Sequence, residues 1–500
     1  MIRPFDSSGI VRDATGVAHY ERLPGSVVEM LRTTVERTPG AEAVVDLAGP
    51  RVTYREFWDR SARVSGGLKA TGIKPGDRVA IRLGNGLDWC LAFVGAQMAG
   101  AVVVPVNTRF SDSEVDFVVK DSGARFTIDV GRRLPDAKPF VVEPAALGDL
   151  AAIFYTSGTT GFPKGAMITH EAFLSSSETT MRVNDFPPQN TVRTLVSVPL
   201  FHVMGCIGQL FPAFMGGAAA VIMANFEVRA FLRAIAEERI DSLASVPSVY
   251  WLALNHPHLR DLDTSAVRWV SYGGAPISAD LVARIGEGFP NARVGNGFGL
   301  TETAALTTFL PHEYARSRAE TVGLAAPVVD LDMAEVDPAT GVGELLVRGP
   351  NVSKGYWNRP KETAETIVNG WLRTGDLVRI DDAGFVQIVD RKKDVINRGG
   401  ENVYCIEVEN AIAAHPAVLE VAVVGVPDPV MGEKVGAVVS AKPGMRLEPR
   451  EIASFLRGRI ADFKVPEFVA LRPPPLPRNA GGKILKSVLR GGTDWIMLAS

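Results

Sequence analysis

Cysteine is scarce in this chain: Cys90, Cys206 and Cys405 stand far apart among 500 residues. An odd, dispersed set gives neither a disulfide framework nor metal-ligand spacing, and it suits a reducing compartment such as the cytoplasm. Charge of one sign is equally lacking. The 53 Lys and Arg nearly cancel the 56 Asp and Glu, so no global field holds nucleic acid or an anionic membrane, and phosphate recognition must come from local groups. The opening residues, MIRPFDSSGIVRD, contain no apolar secretion signal. Residues 199–224 carry no charge and on paper are long enough to cross a bilayer. Pro199, His202, Gln209, Pro212 and several glycines interrupt them, so they read as buried strand, turn and helix around a pocket, with no integral membrane segment. Weak peripheral association with a lipid surface stays open. Internal repeats and low-complexity tracts are absent apart from a triple proline at 473–475.

Two common phosphate loops are missing as well. Lys164 follows Pro163 and precedes Gly165, which fails the P-loop pattern. Gly295, Gly297 and Gly299 have the wrong spacing for a dinucleotide fingerprint, and Thr301 and Glu302 follow them. A carboxylate there repels pyrophosphate unless a metal lies between, so a divalent cation is implied. What the chain does have is YTSGTTGFPKG at residues 155–165, directly after an apolar strand. Its glycines let backbone N–H groups approach phosphate oxygens, its hydroxyls add neutral donors, and Lys164 adds a point charge. ATP is the expected guest.

Short apolar runs alternate with helical patterns over most of the first 390 residues, predicting helices at 54–70, 88–98 and 229–238 and strands at 78–83, 101–105, 194–198 and 219–223. That rhythm indicates α/β architecture with parallel sheets covered by helices. After residue 337 the pattern turns to short β segments near 344–348, 377–380 and 385–389, expected as a small barrel-like subdomain. Five charged residues at 390–394 form a candidate hinge. The remainder reads as a small α+β domain with helices at 406–414 and 449–461 and strands at 418–426 and 434–441.

Seven segments in order carry a resemblance: TSGTTGFPKG (156–165), VPLFHVMG (198–205), YGGAPIS (272–278), NGFGLTET (296–303), GWLRTGDL (370–377), DRKKDVINRGGENVYCIEVE (390–409) and LPRNAGGKILK (476–486). Together they resemble the adenylate-forming superfamily of acyl-CoA synthetases, luciferases and peptide-synthetase adenylation domains, over nearly the whole chain. The resemblance implies a large N-terminal adenylation domain, residues 1–391, and a small mobile C-terminal lid, residues 392–500. It implies that Thr156, Ser157, Gly158, Thr159, Thr160 and Lys164 embrace the ATP phosphates, and that Glu302, with Thr301 beside it and Thr156 opposite, holds Mg²⁺. Gly274, Ala275 and Pro276 would lie on one adenine face and Phe298 with Gly299 on the other, while Asn296 reads the amino edge. Asp376 would accept both ribose hydroxyls, helped by Arg391. Lys483 would bridge the substrate carboxylate and the α-phosphate during adenylation. Lys393 would be the pivot for the second half-reaction, with Gly399 and Gly400 lining the passage of coenzyme A.

Two departures stand out: Phe298 where tyrosine is commonest, and Asn397 where many relatives have lysine. The connection at 127–150 is short. The segment Phe201-His202-Val203-Met204 lacks the aspartate that pairs with an amino acid's ammonium, so it resembles fatty acyl and aryl CoA ligases, with His202 as a gate. Met204, Val246, Tyr250, Tyr272, Gly273 and Ala304 fall where relatives line the acyl pocket, and Tyr272 is expected to shorten it. The expected reaction joins a carboxylic acid, a medium- or long-chain fatty acid or an aryl acid, to coenzyme A through an acyl-adenylate. The alternatives are an acyl-AMP ligase loading a carrier-protein arm, or a non-enzymatic acyl binder.

Overall fold

The computed structural model describes residues 4–47, 49–142, 145–156, 163–187, 192–275, 277–478 and 484–498. Ser157, Gly158, Thr159, Thr160, Pro276 and Lys483 lie outside the described residues. The fold is α/β, with a larger and a smaller unit. The first comprises Met1–Asp332, Leu346–Arg373 and Ile380–Gln387, and the second Met333–Leu345, Thr374–Arg379 and Ile388–Ser500. The β segments expected after residue 337 are the strands Gly343–Arg348, Trp371–Ile380 and Val386–Arg391, along which the chain passes between units.

Two sheets organise the large unit. A five-stranded sheet runs in the order Ala124–Asp129, Arg78–Arg82, Val102–Pro105, Leu150–Thr156, Lys164–Thr169, parallel except for its last pair. A nine-stranded sheet has a parallel centre ordered Arg293–Phe298, Trp269–Gly273, Ser242–Ser245, Arg193–Val196, Ala219–Ile222 and Glu42–Asp46. Such strands are buried on both faces, which accounts for runs such as Ala219–Ile222, buried throughout. The helix Tyr54–Ala70 starts with a capping box in which Glu56 N–H donates to Thr53 Oγ1 and Thr53 N–H to Glu56 Oε2. Its Gly66 and Gly67 admit the short 127–150 connection. A Cβ on Gly66 would lie 1.9 Å from Lys138 O, and one on Gly67 2.4 Å from Asp136 N.

The uncharged stretch at 199–224 forms the helix Val203–Gly205, a π-helical turn Cys206–Leu210, the helix Phe211–Gly216 and the strand Ala219–Ile222. Among the described residues no helix is long and apolar enough to cross a membrane. In the small unit, Val418–Asp428 and Gly432–Ala441 form a long antiparallel pair, and the helix Cys405–Ala413 contributes Val408 and Ile412 to the same core.

His170, at the start of the helix His170–Val183, accepts a hydrogen bond from Val27 N–H at Nδ1, and burial lowers its pKa to about 4. A depressed histidine favours the fold at neutral pH and loses that contribution as pH falls from its ordinary value towards the folded one. We expect about 2 kcal/mol of stability to be lost between pH 7 and 4.5 from this group. Denaturant titrations at both pH values should show a smaller loss in His170→Gln, whose amide oxygen still accepts from Val27.

Candidate active site

The strands Leu150–Thr156 and Lys164–Thr169 form a hairpin with Thr156 opposite Lys164, so residues 157–162 connect its two ends. Gly165 is required by cross-strand packing, since a Cβ there would come 2.6 Å from Ile153 Cγ2. A further segment pairs with the outer strand: Met167 N–H donates to Gly355 O, Lys354 N–H to Met167 O and Trp357 N–H to Gly165 O. This pairing carries Tyr356 beside the hairpin. Lys164 Nζ sits 5.4 Å from the Tyr356 ring centroid, and the Tyr356 hydroxyl donates to Glu302 Oε1 at 2.7 Å. Ser353 N–H also donates to Glu302 O at 2.8 Å. A cation and a carboxylate 138 positions apart are thereby held by one tyrosine.

Sequence reasoning missed Tyr356, because its pairing with Gly165 and Met167 has no local signature. Tyr356→Phe should leave the fold intact but free the Glu302 carboxylate. On the reading of Glu302 as a Mg²⁺ ligand, the Mg²⁺ concentration for half-maximal activity is expected to rise about tenfold. A magnesium titration of initial rate checks this, and an unchanged midpoint would remove Tyr356 from the site.

Gly274, Ala275 and Phe298 lie at or just past the carboxyl ends of the adjacent parallel strands Trp269–Gly273 and Arg293–Phe298. In open α/β sheets ligands bind outside those ends. Gly274 has φ +74°, while a Cβ on Gly273 would stand 2.2 Å from Gly297 O, so neither position tolerates a side chain. Gly299 is tighter still, its hypothetical Cβ 1.5 Å from Ala305 O. Asn296 is buried, and its Nδ2 donates to Thr321 O at 3.4 Å, which leaves Oδ1 as the acceptor that an exocyclic amino group needs. Thr301 and Glu302 follow in a half-buried turn.

His202 is half-buried at the start of the helix Val203–Gly205, its ring 4.7 Å from that of Phe201. Asn85 fixes this segment from a remote loop, donating to Val198 O at 2.9 Å and accepting from Leu200 N–H at 2.8 Å. Behind it lies a cavity of about 140 Å³, bordered by Met204, Gly208, Gln209, Ser271, Tyr272, Ala305 and others. Several expected lining residues are elsewhere. Tyr250 is fully buried in a core cluster and donates its hydroxyl to Ser271 O. Val246 packs in the same cluster. Gly273 is closed off by Gly297, and His202 and Ala304 do not border the cavity, where Ala305 stands instead. Tyr272 borders it, but strand alternation turns its ring to the face opposite Ser271, into the core with Leu243, Val270 and Ile285. The ring therefore does not plug the cavity beside Ser271, contrary to expectation.

In the small unit, Arg391 Nε lies 2.6 Å from Asp376 Oδ1, and Asp376 is almost fully buried. Gly375, at φ +71°, donates its N–H to Glu344 Oε1, while Lys392 N–H donates to Gly375 O. Lys393 is exposed in the turn that follows. Gly399 and Gly400, at φ +62° and +94°, make the two-residue turn between Ile396–Arg398 and Glu401–Val403, a geometry that demands positive φ at both positions. Asn397, the departure noted above, accepts the Gly400 N–H at 2.9 Å. Lys486 Nζ is 2.7 Å from Glu409 Oε1, which anchors the chain three residues beyond Lys483.

The family model of the AMP-binding enzyme matches residues 31–139 and 129–357, and that of the AMP-binding enzyme C-terminal domain matches 407–483. The chain belongs to the AMP-binding enzyme family. It is 36% identical over 478 residues to a feruloyl-CoA synthase of an Amycolatopsis species, covering 91% of this chain and 96% of that one. It is 34% identical over 495 residues to the long-chain-fatty-acid–CoA ligase FadD13 of Mycobacterium tuberculosis, covering 92% and 97%. The ATP-bound structure of MatB from Rhodopseudomonas palustris superposes with a TM-score of 0.85 at 31% identity, over 94% of this chain and 98% of that one. This family of acyl-activating, adenylate-forming enzymes is the one that the seven sequence segments resemble.

Proposed function

We propose that the protein is an AMP-forming acid–CoA ligase whose substrate is a compact apolar carboxylic acid, an aryl or medium-chain acid, with MgATP and coenzyme A. The observation that carries this is the Lys164–Tyr356–Glu302 arrangement, which holds a phosphate-binding cation next to a carboxylate suited to Mg²⁺. A carboxylate attacking the α-phosphate brings two anions together, so charge must be neutralised before the reacting atoms meet. Lys164 and the hydroxyls of Thr156, Ser157, Thr159 and Thr160 hold the phosphates. Glu302 and Thr156 fit Mg²⁺, a hard cation that takes one or two carboxylates plus substrate phosphates. When bound, that ion neutralises charge on the leaving pyrophosphate.

Asp376, oriented by Arg391, accepts the ribose hydroxyls, Asn296 reads the adenine amino group, and Gly274, Ala275, Pro276 and Phe298 flank the base. Lys483 acts in the first step. Lys393, Gly399 and Gly400 serve the second, with His202 at the junction of acid and thiol. The absence of charged side chains among the described residues around the cavity supports an apolar acid. Its 140 Å³ is close to an engineered cavity of about 150 Å³ that takes up benzene, which supports one ring or a short chain. The cytoplasm is the proposed compartment, in keeping with three buried free thiols.

The test is incubation with ATP, Mg²⁺ and a panel of carboxylic acids, with and without coenzyme A. We expect AMP and acyl-CoA when the thiol is present and enzyme-bound adenylate when it is omitted. Adenylate that persists with coenzyme A present would move the acceptor to a carrier-protein arm. No AMP from any acid would leave a non-enzymatic acyl binder.

A further inference from the structure

Strand register gives the acyl cavity a top and a floor. Gly274, Gly297 and Gly299 border it at the carboxyl ends of the parallel strands, where the nucleotide site opens. Thr194 and Ser242 also border it, and they are in register with each other and with Trp269, four residues before Gly273. At about 3.3 Å per residue, the floor is roughly 13 Å below the mouth.

That floor is polar. Gln209, brought there by the π-helical turn Cys206–Leu210, is only 5% exposed. Its Nε2 donates to Leu195 O at 2.9 Å and to Thr194 Oγ1 at 3.1 Å. A carbonyl oxygen can face only the amide's N–H₂, so these bonds fix which end of the side chain is which. The other end, Oε1, is buried and has no hydrogen-bond partner among the described residues. Also on the cavity wall, Ser271 Oγ donates to Asn184 Oδ1 at 3.1 Å, and Asn184 Nδ2 donates to Thr180 O at 2.9 Å, so those groups satisfy one another. Buried polar atoms are nearly always paired, and one that borders a ligand cavity without a partner is placed for a group on the ligand.

We propose that Gln209 Oε1 accepts a hydrogen bond from a hydroxyl at the end of the substrate remote from its carboxylate, so that the preferred acid is a hydroxylated aryl acid. This rests on the acid–CoA ligase reading above. A distal donor satisfies this acceptor where a purely hydrocarbon terminus would leave it unpaired, so the site favours the hydroxylated acid. The described lining residues are uncharged and disfavour a distal carboxylate or ammonium, whose burial without a partner is costly. The depth accommodates one ring with a short acid side chain.

Three acids of similar size separate hydrogen bonding from fit: 4-hydroxycinnamic, 4-fluorocinnamic and cinnamic acid, compared by kcat/KM for thioester formation. The wild-type enzyme is expected to favour the hydroxylated acid over both others by at least about tenfold, since a site built for a hydroxyl rejects analogues that lack it. Gln209→Leu is expected to bring the three values within about threefold of one another, a single lost hydrogen bond being worth about a factor of ten. Should that variant fail to fold, the wild-type ratios decide alone. Equal turnover of the hydroxy and fluoro acids overturns the proposal, as does a preference that survives Gln209→Leu. Activation of other acids but none of these three also overturns it, whereas activation of no acid at all refutes the ligase reading itself.

Discussion

Lys483→Ala is expected to lower acyl-adenylate formation by at least about a hundredfold, the usual cost of removing one group aimed at developing charge. Thioester formation from a supplied acyl-adenylate should stay within a few-fold of wild type. The asymmetry follows from the chemistry. In the first step two anions approach, and an ammonium between the acid and the α-phosphate is stronger in the transition state than with either reactant alone. In the second step a thiol attacks an anhydride that is already formed, and a cation at that position contributes little. The adjacent sequence suits the role. Gly481 and Gly482 precede Lys483, and Lys486 anchors the chain just beyond it through Glu409. Loss of that anchor would misplace Lys483 without removing it, so Lys486→Met should imitate Lys483→Ala partially. Pyrophosphate exchange measures the first step, and a rate near wild type in Lys483→Ala would remove this lysine from adenylation.

Lys393→Pro should act in reverse. Adenylate should still form at near the wild-type rate, while thioester formation falls by about tenfold to a hundredfold, as when a gating motion is blocked. Proline locks φ near −65° and restricts the residue before it. Lys392 N–H donates to Gly375 O and Asp394 N–H to Arg391 O. Neither bond uses the Lys393 N–H, but Lys393 is the third residue of the turn that Asp394 N–H closes on Arg391 O, where proline disfavours the helical conformation of Lys392, so the substitution fixes this segment in an altered geometry. Single-turnover measurement of adenylate and thioester separates the steps, and equal loss of both would count against a pivot at Lys393.

The parts of the fold that were legible from sequence are those set by local rules. The capped helix Tyr54–Ala70 falls at its expected bounds, and the central strands fall within a residue or two of theirs. The helix expected to reach residue 461 stops at Leu456, ahead of Gly458, which adopts φ +76°. Tyr272 borders the cavity as expected, but its ring lies on the face opposite Ser271, because neighbours on a strand cannot share a face. Asn85, Gln209 and Tyr356 were illegible for a different reason. Each acts through a partner distant in sequence or through a backbone carbonyl, as when Asn85 holds Val198 and Leu200. No spacing rule records such contacts.

The most direct measurement follows oxygen. An acid labelled with ¹⁸O in both carboxylate positions is incubated with ATP, Mg²⁺, coenzyme A and the enzyme, and the products are weighed by mass spectrometry. Attack of the carboxylate on the α-phosphorus predicts one labelled oxygen in AMP, one in the acyl-CoA carbonyl and none in pyrophosphate. Release of ADP with labelled inorganic phosphate would mean attack at the γ-phosphorus through an acyl phosphate, and would contradict the account.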